Sequence, residues 1–514
     1  MKKISAVLSL ILVLALLAGC GSSSAPAASS NNGTASTSNE VSNVANFTYG
    51  IDSDIDDFNP MSNQMTNYVC TFVFNVYEPL MHLNGNMEYT MDLATDYRQI
   101  NDLTYEFVLR EGVKFHNGQS FSADDVINTI NYIKDENNGA WRAPQYSTVA
   151  EMKADGNKLT ITLAEPTPAF LDSIAYTPIF CKDDDPANLS TTANGTGAFK
   201  FVSWTPNDSI VLEKFSDYWD ADNVSITNLT LKPSPDYTVA ITNLQAGDLD
   251  GLNRVTVENA ATIESKDGLK IVEASSSNTL DQFEIGRHNC APLSDPKVME
   301  AMLLAFDADA INEAIYKGKG QVMTSCYPAG AKYHMDILKN EYDLEKAKAI
   351  LAETEYSDGF EFDCELLKGY DAGEMAAVIW QNSLAQIGIT MNLKSEEMSV
   401  WLESYLGRTY DMIWNEYGMV GSDPATFNSI ILEQLYPYQL SDLPELQDLI
   451  NKGKSTGSDE ERQKIYEQIQ NIVCEYLPVY EYIAAPLICG VRENVNGLEI
   501  NGMGHVFFKG VTVG

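Results

Sequence analysis

Strand patterns and helix patterns alternate along this 514-residue chain, and this mixture restricts its fold more than any other feature. Apolar and polar side chains alternate over 104–109 and 158–163, as in half-buried strands. Apolar residues have helical spacing over 374–386, and a strand-like alternation over 389–393 follows directly. We therefore predict a mixed α/β fold.

Helix starts are marked by residues that cap the free N–H groups of a first turn. Ser122 with Asp125 three residues later has the spacing of a capping box, and 458–461 repeats it. Asp343 and the pair Asp295-Pro296 favour two further starts. Behind Ser458, the apolar residues of 465–476 form one stripe, which we interpret as core.

The composition is that of a large acidic globular protein. Its length suggests about three domains, and 44% of the residues are hydrophobic. The net charge is -39, with 33 Lys and Arg against 72 Asp and Glu. Because nucleic acids and anionic lipids repel such a chain, we expect no nucleic-acid partner and no general binding to membrane surfaces.

The N-terminus has the features of an export signal. Lys2 and Lys3 precede an apolar run over 4–18, and 17–20 read LAGC, which resembles a bacterial lipobox. The resemblance implies a signal peptide over 1–19, cleavage before Cys20 and a lipid on the Cys20 thiol. An ordinary secretory signal that happens to place a cysteine there is the alternative.

Residues 20–45 are predicted to be a flexible tether. After Cys20 they are rich in Ser, Ala, Asn, Thr and Gly and contain no aromatic residue, so they bury too little apolar surface to fold. No later stretch has eighteen apolar residues without charges. We expect an extracytoplasmic protein anchored to the membrane by lipid, in a periplasm or on a Gram-positive cell surface.

Motifs of common catalytic sites are missing from the sequence. It has no HExxH, GxSxG or GxxxxGK[ST], and its five histidines do not have zinc-ligand spacing. Seven cysteines remain besides Cys20, an odd number without a CxxC, and we expect most to be buried thiols. An enzyme stays possible at this point, but nothing in these motifs argues for one, and we predict no cofactor and no metal site.

One motif is far more specific. Residues 109–118 read LREGVKFHNG and 121–126 read FSADDV, which resembles the signature of family 5 extracellular solute-binding proteins, the peptide-binding group of ABC importers. Ala198 replaces a usual Pro and Met299 a usual Arg. Further blocks of this family agree in order from about residue 47 to the C-terminus, at 56–60 with 76–80, 195–199, 244–250, 292–311, 347–359 with 377–389, and 461–478.

The resemblance implies a class II periplasmic-binding-protein-like architecture, with two lobes joined by a hinge and an additional inserted domain. Lobe I would collect 46–78, 196–286 and 480–514, the inserted domain would be 79–195, and lobe II would be 287–479. The lobes would close over a ligand and deliver it to a membrane permease. ATP would be hydrolysed elsewhere, so the resemblance implies no catalytic residue and no enzyme activity in this chain. We expect a monomer that binds a peptide or a related oligomeric solute.

The resemblance implies that ligand contacts come from the stretch after the strand at 389–393, which here is 409–424. Aligning Asp423-Pro424 with the family places Tyr417 where peptide binders carry Trp, and Val420 where they carry the Asp that pairs with the peptide amine. The amine anchor is therefore expected to be lost. Either Glu416 or Asp423 replaces it, or the ligand has no free α-amino group at that point.

Three further side chains are candidates for the binding site. Trp414 would offer a large rigid contact face, with a core position as an equal alternative. Arg408 would meet a ligand carboxylate unless it is a solvated surface residue, and Trp401 is the third candidate.

The ligand class stays open at this point. Nickel chelates, oligosaccharides and signalling peptides are alternatives on the same scaffold. An anchored extracellular hydrolase is the alternative of a different class, and it would need two carboxyl groups about 5–9.5 Å apart in the cleft.

Overall fold

The computed structural model describes residues 44–61, 68–140, 142–167, 169–428, 443–456 and 458–514. The predicted signal peptide, Cys20 and nearly all of the predicted tether lie outside the described residues.

A seven-stranded sheet gathers strands from the start, middle and end of the chain. Val44–Ile51 lies inside it and pairs in parallel with Ile226–Pro233 and Gly251–Leu252. Its buried residues Phe47, Tyr49 and Ile51 alternate and enter the core. In spatial order the strands are Leu269–Glu273, Ile488–Arg492, Gly251–Leu252, Val44–Ile51, Ile226–Pro233, Ser209–Lys214 and Phe199–Thr205.

A six-stranded sheet forms the second half of the molecule. Its strands, in spatial order, are Gln321–Val322, Val479–Ala484, Thr279–Ile285, Met412–Gly418, Phe360–Leu367 and Ile389–Glu396. Two of them, Thr279–Ile285 and Val479–Ala484, are buried along nearly their whole length. The predicted domain boundaries assign nearly all of these two strands to lobe I, whereas the topology pairs them within this second sheet.

The chain passes between the two sheets at 274–278 and again at 485–487. These two crossings run side by side, since Ala274 donates its backbone N–H to the Leu487 carbonyl at 3.0 Å and Ala485 donates to Thr279 at 2.8 Å. Two adjacent connections of a few residues each have the form of a hinge.

A four-stranded antiparallel sheet lies within the predicted inserted domain. Its strands, in spatial order, are Ala94–Asn101, Thr104–Leu109, Lys158–Leu163 and Val149–Asp155. The two strands predicted from alternation are its central pair, and they bury every second residue. Three two-stranded pairs complete the strands: Met81–Leu83 with Tyr89–Met91, Val495–Asn496 with Thr512–Val513, and Glu499–Ile500 with Val506–Phe507.

Helices cover the sheets, and their predicted starts are confirmed. Ser122 and Asp125 form the capping box of Ala123–Lys134, and Asp295, Asp343 and Ser458 accept backbone N–H bonds at three other starts. The α-helices are Phe74–Val76, Ala123–Lys134, Phe170–Ala175, Tyr237–Ala246, Val257–Glu264, Pro296–Leu304, Ala308–Tyr316, Leu344–Leu351, Asp371–Gln386, Met398–Gly407, Pro424–Phe427, Pro444–Ser455 and Asp459–Tyr476. Tyr68–Val73 is a π-helix, and short 3₁₀ helices lie at Glu136–Asn138, Ala143–Tyr146, Pro186–Asn188, Ala221–Asn223 and Ala291–Ser294.

The cysteines whose side chains the structure describes are buried thiols, as predicted, and none of them forms a disulfide there. They are Cys181, Cys290, Cys326, Cys364, Cys474 and Cys489. The side chain of Cys70 and the whole of Cys20 lie outside the described part of the chain.

Gly195 and Gly197, which belong to the family block at 195–199, are needed for a close approach of two backbones. A Cβ on Gly195 would lie 1.9 Å from the Val76 carbonyl oxygen, and one on Gly197 would lie 2.6 Å from that of Asn75. Gly197 also donates its N–H to Val76 at 2.9 Å. Only glycine allows this contact, because backbone atoms cannot move aside as a flexible side chain can.

Gly195→Ala is expected to lower the free energy of unfolding by about 3 kcal/mol, because the added methyl group forces the two backbones apart. Urea unfolding measures the change. Gly407→Ala is the matched control, since its Cβ would make only an ordinary 3.6 Å contact with Thr409. Equal stability of the two variants would contradict the close-approach explanation.

Candidate functional site

A cavity of about 460 Å³ lies where the two sheets face each other. Residues 253–258 form one wall, and Tyr316, Ala372 and Glu416 belong to the opposite wall. The second crossing, 485–487, also lines it. A rotation about the two crossings would therefore open or close this cavity.

A second cavity of about 520 Å³ is larger but is built differently. Its lining comes from 74–92, 198–223 and 497–512, and none of the predicted binding residues belongs to it. Because neither wall comes from the six-stranded sheet, closure of one sheet on the other would not enclose a ligand there. We therefore take the cavity between the sheets as the candidate site.

Glu416 is the predicted site residue that lines this cavity. It stands on the strand Met412–Gly418, and its side chain is accessible to solvent although protein surrounds it. The confinement raises the pKa of the Glu416 carboxyl by desolvation, while the positive charge of Arg254 on the opposite wall acts to lower it. The two walls thus carry opposite charges at this point.

Asp281 is the neighbour of Glu416 across the sheet. The two residues are register partners on adjacent antiparallel strands, so their side chains share one face. Asp281 is fully buried, and one of its carboxylate oxygens accepts a hydrogen bond from the Tyr316 hydroxyl at 2.5 Å. Its other oxygen, Oδ1, has no hydrogen-bond partner among the described residues. Burial and the nearby Glu416 charge raise the pKa of Asp281 to about 8.

Arg254 has a strained backbone on the opposite wall. Its φ of 49° lies in the left-handed region, which a non-glycine residue seldom adopts. The Tyr237 hydroxyl donates to the Arg254 carbonyl at 2.6 Å, and the guanidinium lies 3.9 Å from an Asp52 carboxylate oxygen. Such strain is concentrated at functional sites in proteins.

Trp414 and Trp401 are core residues and do not line the cavity. Each is only 1% exposed. The Trp414 indole N–H donates to the Tyr482 hydroxyl at 2.9 Å, and that of Trp401 donates to the Trp414 carbonyl at 3.3 Å. For Trp414 the structure therefore favours the core alternative, and contact with a ligand in the cavity would need both rings to leave their packing.

Tyr417, Val420 and Arg408 also lie away from the cavity lining. Tyr417 occupies the position after Glu416 and therefore points to the other face of the strand, where its ring meets Phe427 edge-on. Val420 is partly buried against the hydrophobic core that the seven-stranded and four-stranded sheets share. Arg408 donates to the Tyr405 carbonyl at 2.8 Å.

Asp423 is engaged by Arg462 in a buried ion pair. The two guanidinium N–H groups meet its two oxygens at 2.8 and 2.7 Å, and both side chains are about 5% exposed. With its charge matched in this way, Asp423 is not available to a ligand amine in this structure. Of the two predicted substitutes for the lost anchor, only Glu416 lines the cavity.

Sequence reasoning missed Asp281, Tyr316 and Arg254. One signal for Asp281 was present, since the strand Thr279–Ile285 carries Asp and Glu although six of its seven residues are buried. Acidic residues are rare in a buried strand, and at buried positions they do not serve solubility. Their presence there is therefore a signal of another role. The position of Tyr316 and Arg254 depends on the packing of distant segments and left no local pattern.

Within the described ranges, no group of three or more His, Cys, Asp or Glu side chains is arranged to hold a metal ion. None of the helices in the described ranges is long and apolar enough to cross a membrane.

Known proteins resemble this chain over most of its length. The glutathione-binding protein GsiB of Escherichia coli K12 is 23% identical over 446 residues, which cover 82% of this chain and 86% of GsiB. The ABC transporter substrate-binding protein CtaP of Listeria monocytogenes has a crystal structure that matches with a TM-score of 0.82 at 23% identity, over 92% of this chain and 99% of CtaP. The structure of the Helicobacter pylori protein DppA, solved with the peptide STSA, matches with a TM-score of 0.71 at 22% identity. The match covers 92% of this chain and 98% of DppA.

These matches confirm the predicted fold, a mixed α/β architecture of the class II periplasmic-binding-protein type. The model of the bacterial extracellular solute-binding proteins, family 5 Middle, matches residues 88–435, about two-thirds of the chain. Members of this family bind solutes for ABC transporters outside the cytoplasm and are not enzymes, so the hydrolase alternative falls away. The chain belongs to the bacterial extracellular solute-binding proteins of family 5.

Proposed function

We propose that this protein captures peptides, or a related oligomeric solute, in the cavity between its two sheets and delivers them to the permease of an ABC importer. The observation that carries the proposal is the cavity itself, whose walls come from both sheets and whose base is a crossing between them. A ligand that touches both walls stabilises the closed arrangement over the open one, which gives the permease a conformation to recognise.

The size and lining of the cavity support a peptide-sized ligand. Its volume of about 460 Å³ lies within the ordinary range of small-molecule sites. Apolar surface from Val255, Met375 and Leu487 lies next to charged side chains of both signs. A peptide offers the same combination, and peptide-type ligands are named for GsiB and DppA.

Location beside the permease is part of the same proposal. Cleavage before Cys20 and lipidation of its thiol would hold the protein at the membrane, and residues 20–45 would give the body its reach. Retention of the chain in membranes, with loss on Cys20→Ala, is the expected result.

Binding is tested by thermal shift of the full chain against peptides of two to eight residues, oligosaccharides and nickel-histidine. A ligand at 100 times its Kd stabilises the protein by about 2.7 kcal/mol, a visible rise in Tm. A rise with peptides supports the proposal. If the Tm rises only with the sugars or only with the nickel chelate, the ligand belongs to that class and is not a peptide.

Ala372→Trp is expected to abolish the ligand-induced rise, because the indole fills the cavity from the first turn of the helix Asp371–Gln386. The melting temperature without ligand should change little, since Ala372 is only partly buried. Ala385→Trp on an exposed position of the same helix is the matched control and should bind normally. Normal binding by Ala372→Trp would place the ligand outside this cavity.

A further inference from the structure

A buried contact joins the two halves of the molecule. The seven-stranded and four-stranded sheets share one hydrophobic core and so form the first half, whereas the six-stranded sheet has cores of its own. Asp172 belongs to the first half, and residues 420–423 follow the strand Met412–Gly418 of the second half. Since a rotation about the two crossings moves one half against the other, contacts between Asp172 and this loop form when the cavity closes.

Asp172 holds the loop through its carboxylate. It is 3% exposed, and its Oδ2 atom accepts the backbone N–H groups of Ser422 at 2.9 Å and Asp423 at 2.6 Å. Its Oδ1 atom accepts the Ser422 hydroxyl at 3.3 Å and the Tyr89 hydroxyl, from its own half, at 2.6 Å. Three of these four hydrogen bonds therefore cross from one half to the other. We call Asp172 and residues 420–423 the clasp.

Apolar contacts accompany these bonds in both directions. Val420 packs against the core of the first half, and Ala169 packs against a core of the second half. Gly421 fits so closely that an added Cβ would lie 2.4 Å from Asp172 Oδ2. Closure thus buries protein against protein at the clasp, without any contribution from a ligand.

The loop is fixed to the second half and cannot follow Asp172 when the halves separate. Arg462 holds Asp423 in the buried ion pair, and the Asn278 side-chain N–H groups donate to the carbonyls of Met419 at 2.9 Å and Gly421 at 2.8 Å. Opening of the cavity must therefore break the three bonds that cross between the halves.

We propose that Asp172 is a positioning residue for solute capture: through the clasp it holds part of the ligand-free population closed and strengthens the binding of every ligand by the same factor. This inference rests on the proposed function and adds the regulation of the same cavity. A ligand that needs the closed form binds in proportion to the closed fraction, so a contact that stabilises closure raises all affinities together.

The clasp also makes closure depend on pH. Asp172 faces Tyr89 of its own half and Asp423 of the other, and Tyr105 and Arg462 adjoin them. Burial first and the Asp423 charge second raise the pKa of Asp172 to about 6 in this closed arrangement. Opening removes both causes and returns the pKa toward its ordinary, lower value. Closure therefore takes up a proton, and the closed form becomes more favourable as the pH falls through 6.

A permanent contact that only stabilises the fold is the competing explanation. Loss of Asp172 would then lower the free energy of unfolding, but the folded variant would keep the shape and the ligand affinity of the wild type. The two explanations differ in the behaviour of the folded protein, so urea unfolding accompanies each measurement below.

Small-angle X-ray scattering of the ligand-free full chain is the first test. We expect a larger radius of gyration for Asp172→Ala than for the wild type, because fewer molecules are closed. Gly421→Ala acts from the loop side and should have the same effect, which keeps the test decisive if Asp172→Ala does not fold. Asp155→Ala, at an exposed position of the four-stranded sheet, is the matched control and should scatter as wild type. Folded variants with the radius of the wild type would overturn the clasp.

Affinity is measured with a dipeptide library and a tripeptide library as probes. Asp172→Ala is expected to bind both about tenfold more weakly, because two charge-assisted bonds and one hydroxyl bond are lost in the closed form only. Gly421→Ala should cost less affinity in the Asp172→Ala background than in the wild type, since the clash with the carboxylate is gone. Unequal losses for the two libraries, or additive losses, would overturn the clasp and leave the peptide function standing. Binding of neither library by the wild type would overturn the proposed function, and the scattering comparison would still decide the clasp.

Asp172→Asn separates the proton from the contact, because the amide keeps the size of the side chain but does not titrate. Between pH 7 and pH 5, the affinity of the wild type for the tripeptide library should rise by up to about tenfold relative to that of Asp172→Asn. Identical pH profiles of the two proteins would contradict proton uptake by Asp172 on closure.

Discussion

Arg462→Met is expected to lower the free energy of unfolding by about 3–5 kcal/mol, because it leaves the Asp423 carboxylate buried without its counter-charge. Arg462 is 3% and Asp423 4% exposed, and their bidentate bonds of 2.7 and 2.8 Å are the strong geometry for this pair. Chemical denaturation with tryptophan fluorescence measures the change.

Arg462 leaves none of its five N–H donors unused. Besides the two bonds to Asp423, it donates to the Gly453 carbonyl and to the hydroxyls of Tyr333 and Tyr466, at 3.1–3.2 Å. A methionine of similar length would fill the space but would also leave these three acceptors without a donor. The loss therefore exceeds that of a single hydrogen bond.

Two controls separate the buried pair from charge in general. Arg98→Met removes an exposed Arg98–Glu106 ion pair of 2.8 Å and should cost less than about 1 kcal/mol. The double variant Arg462→Met with Asp423→Asn should be less unstable than the sum of the two single variants, because no unpaired charge stays buried. Additive losses would contradict this account.

The Arg462 pair joins two stretches that are far apart in the sequence and that both resemble family 5. The terminal block contributes Arg462 and Gln470 of the helix Asp459–Tyr476, and Arg462 holds Asp423 in the loop just after the Glu416 strand. Asp172 of the predicted inserted domain holds the same loop from the other side, accepting backbone N–H bonds from Ser422 at 2.9 Å and Asp423 at 2.6 Å. Its burial and the Asp423 charge raise the pKa of Asp172 to about 6. The blocks are scaffold that positions the cavity wall.

Local signals in the sequence were sufficient for the secondary structure and the family. The capping residues Ser122, Asp295 and Asp343 act on N–H groups within three positions, so their effect is visible in a short stretch of sequence. The alternation over Thr104–Leu109 similarly reflects one buried face of a single strand. Neither depends on how distant parts of the chain meet.

The binding site depends on long-range pairing, and this is where prediction from sequence fell short. Asp281 and Glu416 become neighbours only through the register of two strands far apart in the chain. Asp423 looked available because its partner Arg462 stands on a later helix. Glu416 was a candidate because it lies among the expected contact residues, and it lines the cavity, whereas the adjacent Tyr417 faces the other side of the strand.

Trp414→Ala is expected to lower the free energy of unfolding by about 3–5 kcal/mol, which is the usual loss for removing a buried tryptophan. The ring packs against Gly373, where even a Cβ would lie 2.4 Å from it, and against Tyr370. The substitution leaves a cavity and deprives the Tyr482 hydroxyl of its 2.9 Å donor. Thermal and urea unfolding measure the loss.

A loss of ligand binding in Trp414→Ala would therefore not identify Trp414 as a contact, although the sequence makes it a candidate. Trp414→Phe separates the two roles, because it keeps an aromatic ring in the core and removes the indole N–H and part of the ring volume, for about 1–3 kcal/mol. With Trp414 in the core, Trp414→Phe should bind ligand as the wild type does, and Trp414→Ala should regain binding wherever added ligand restores the folded state. If Trp414→Phe stays fully folded and loses affinity tenfold or more, the indole contacts the ligand, and the closed, ligand-bound protein must then bring Trp414 out of its present packing.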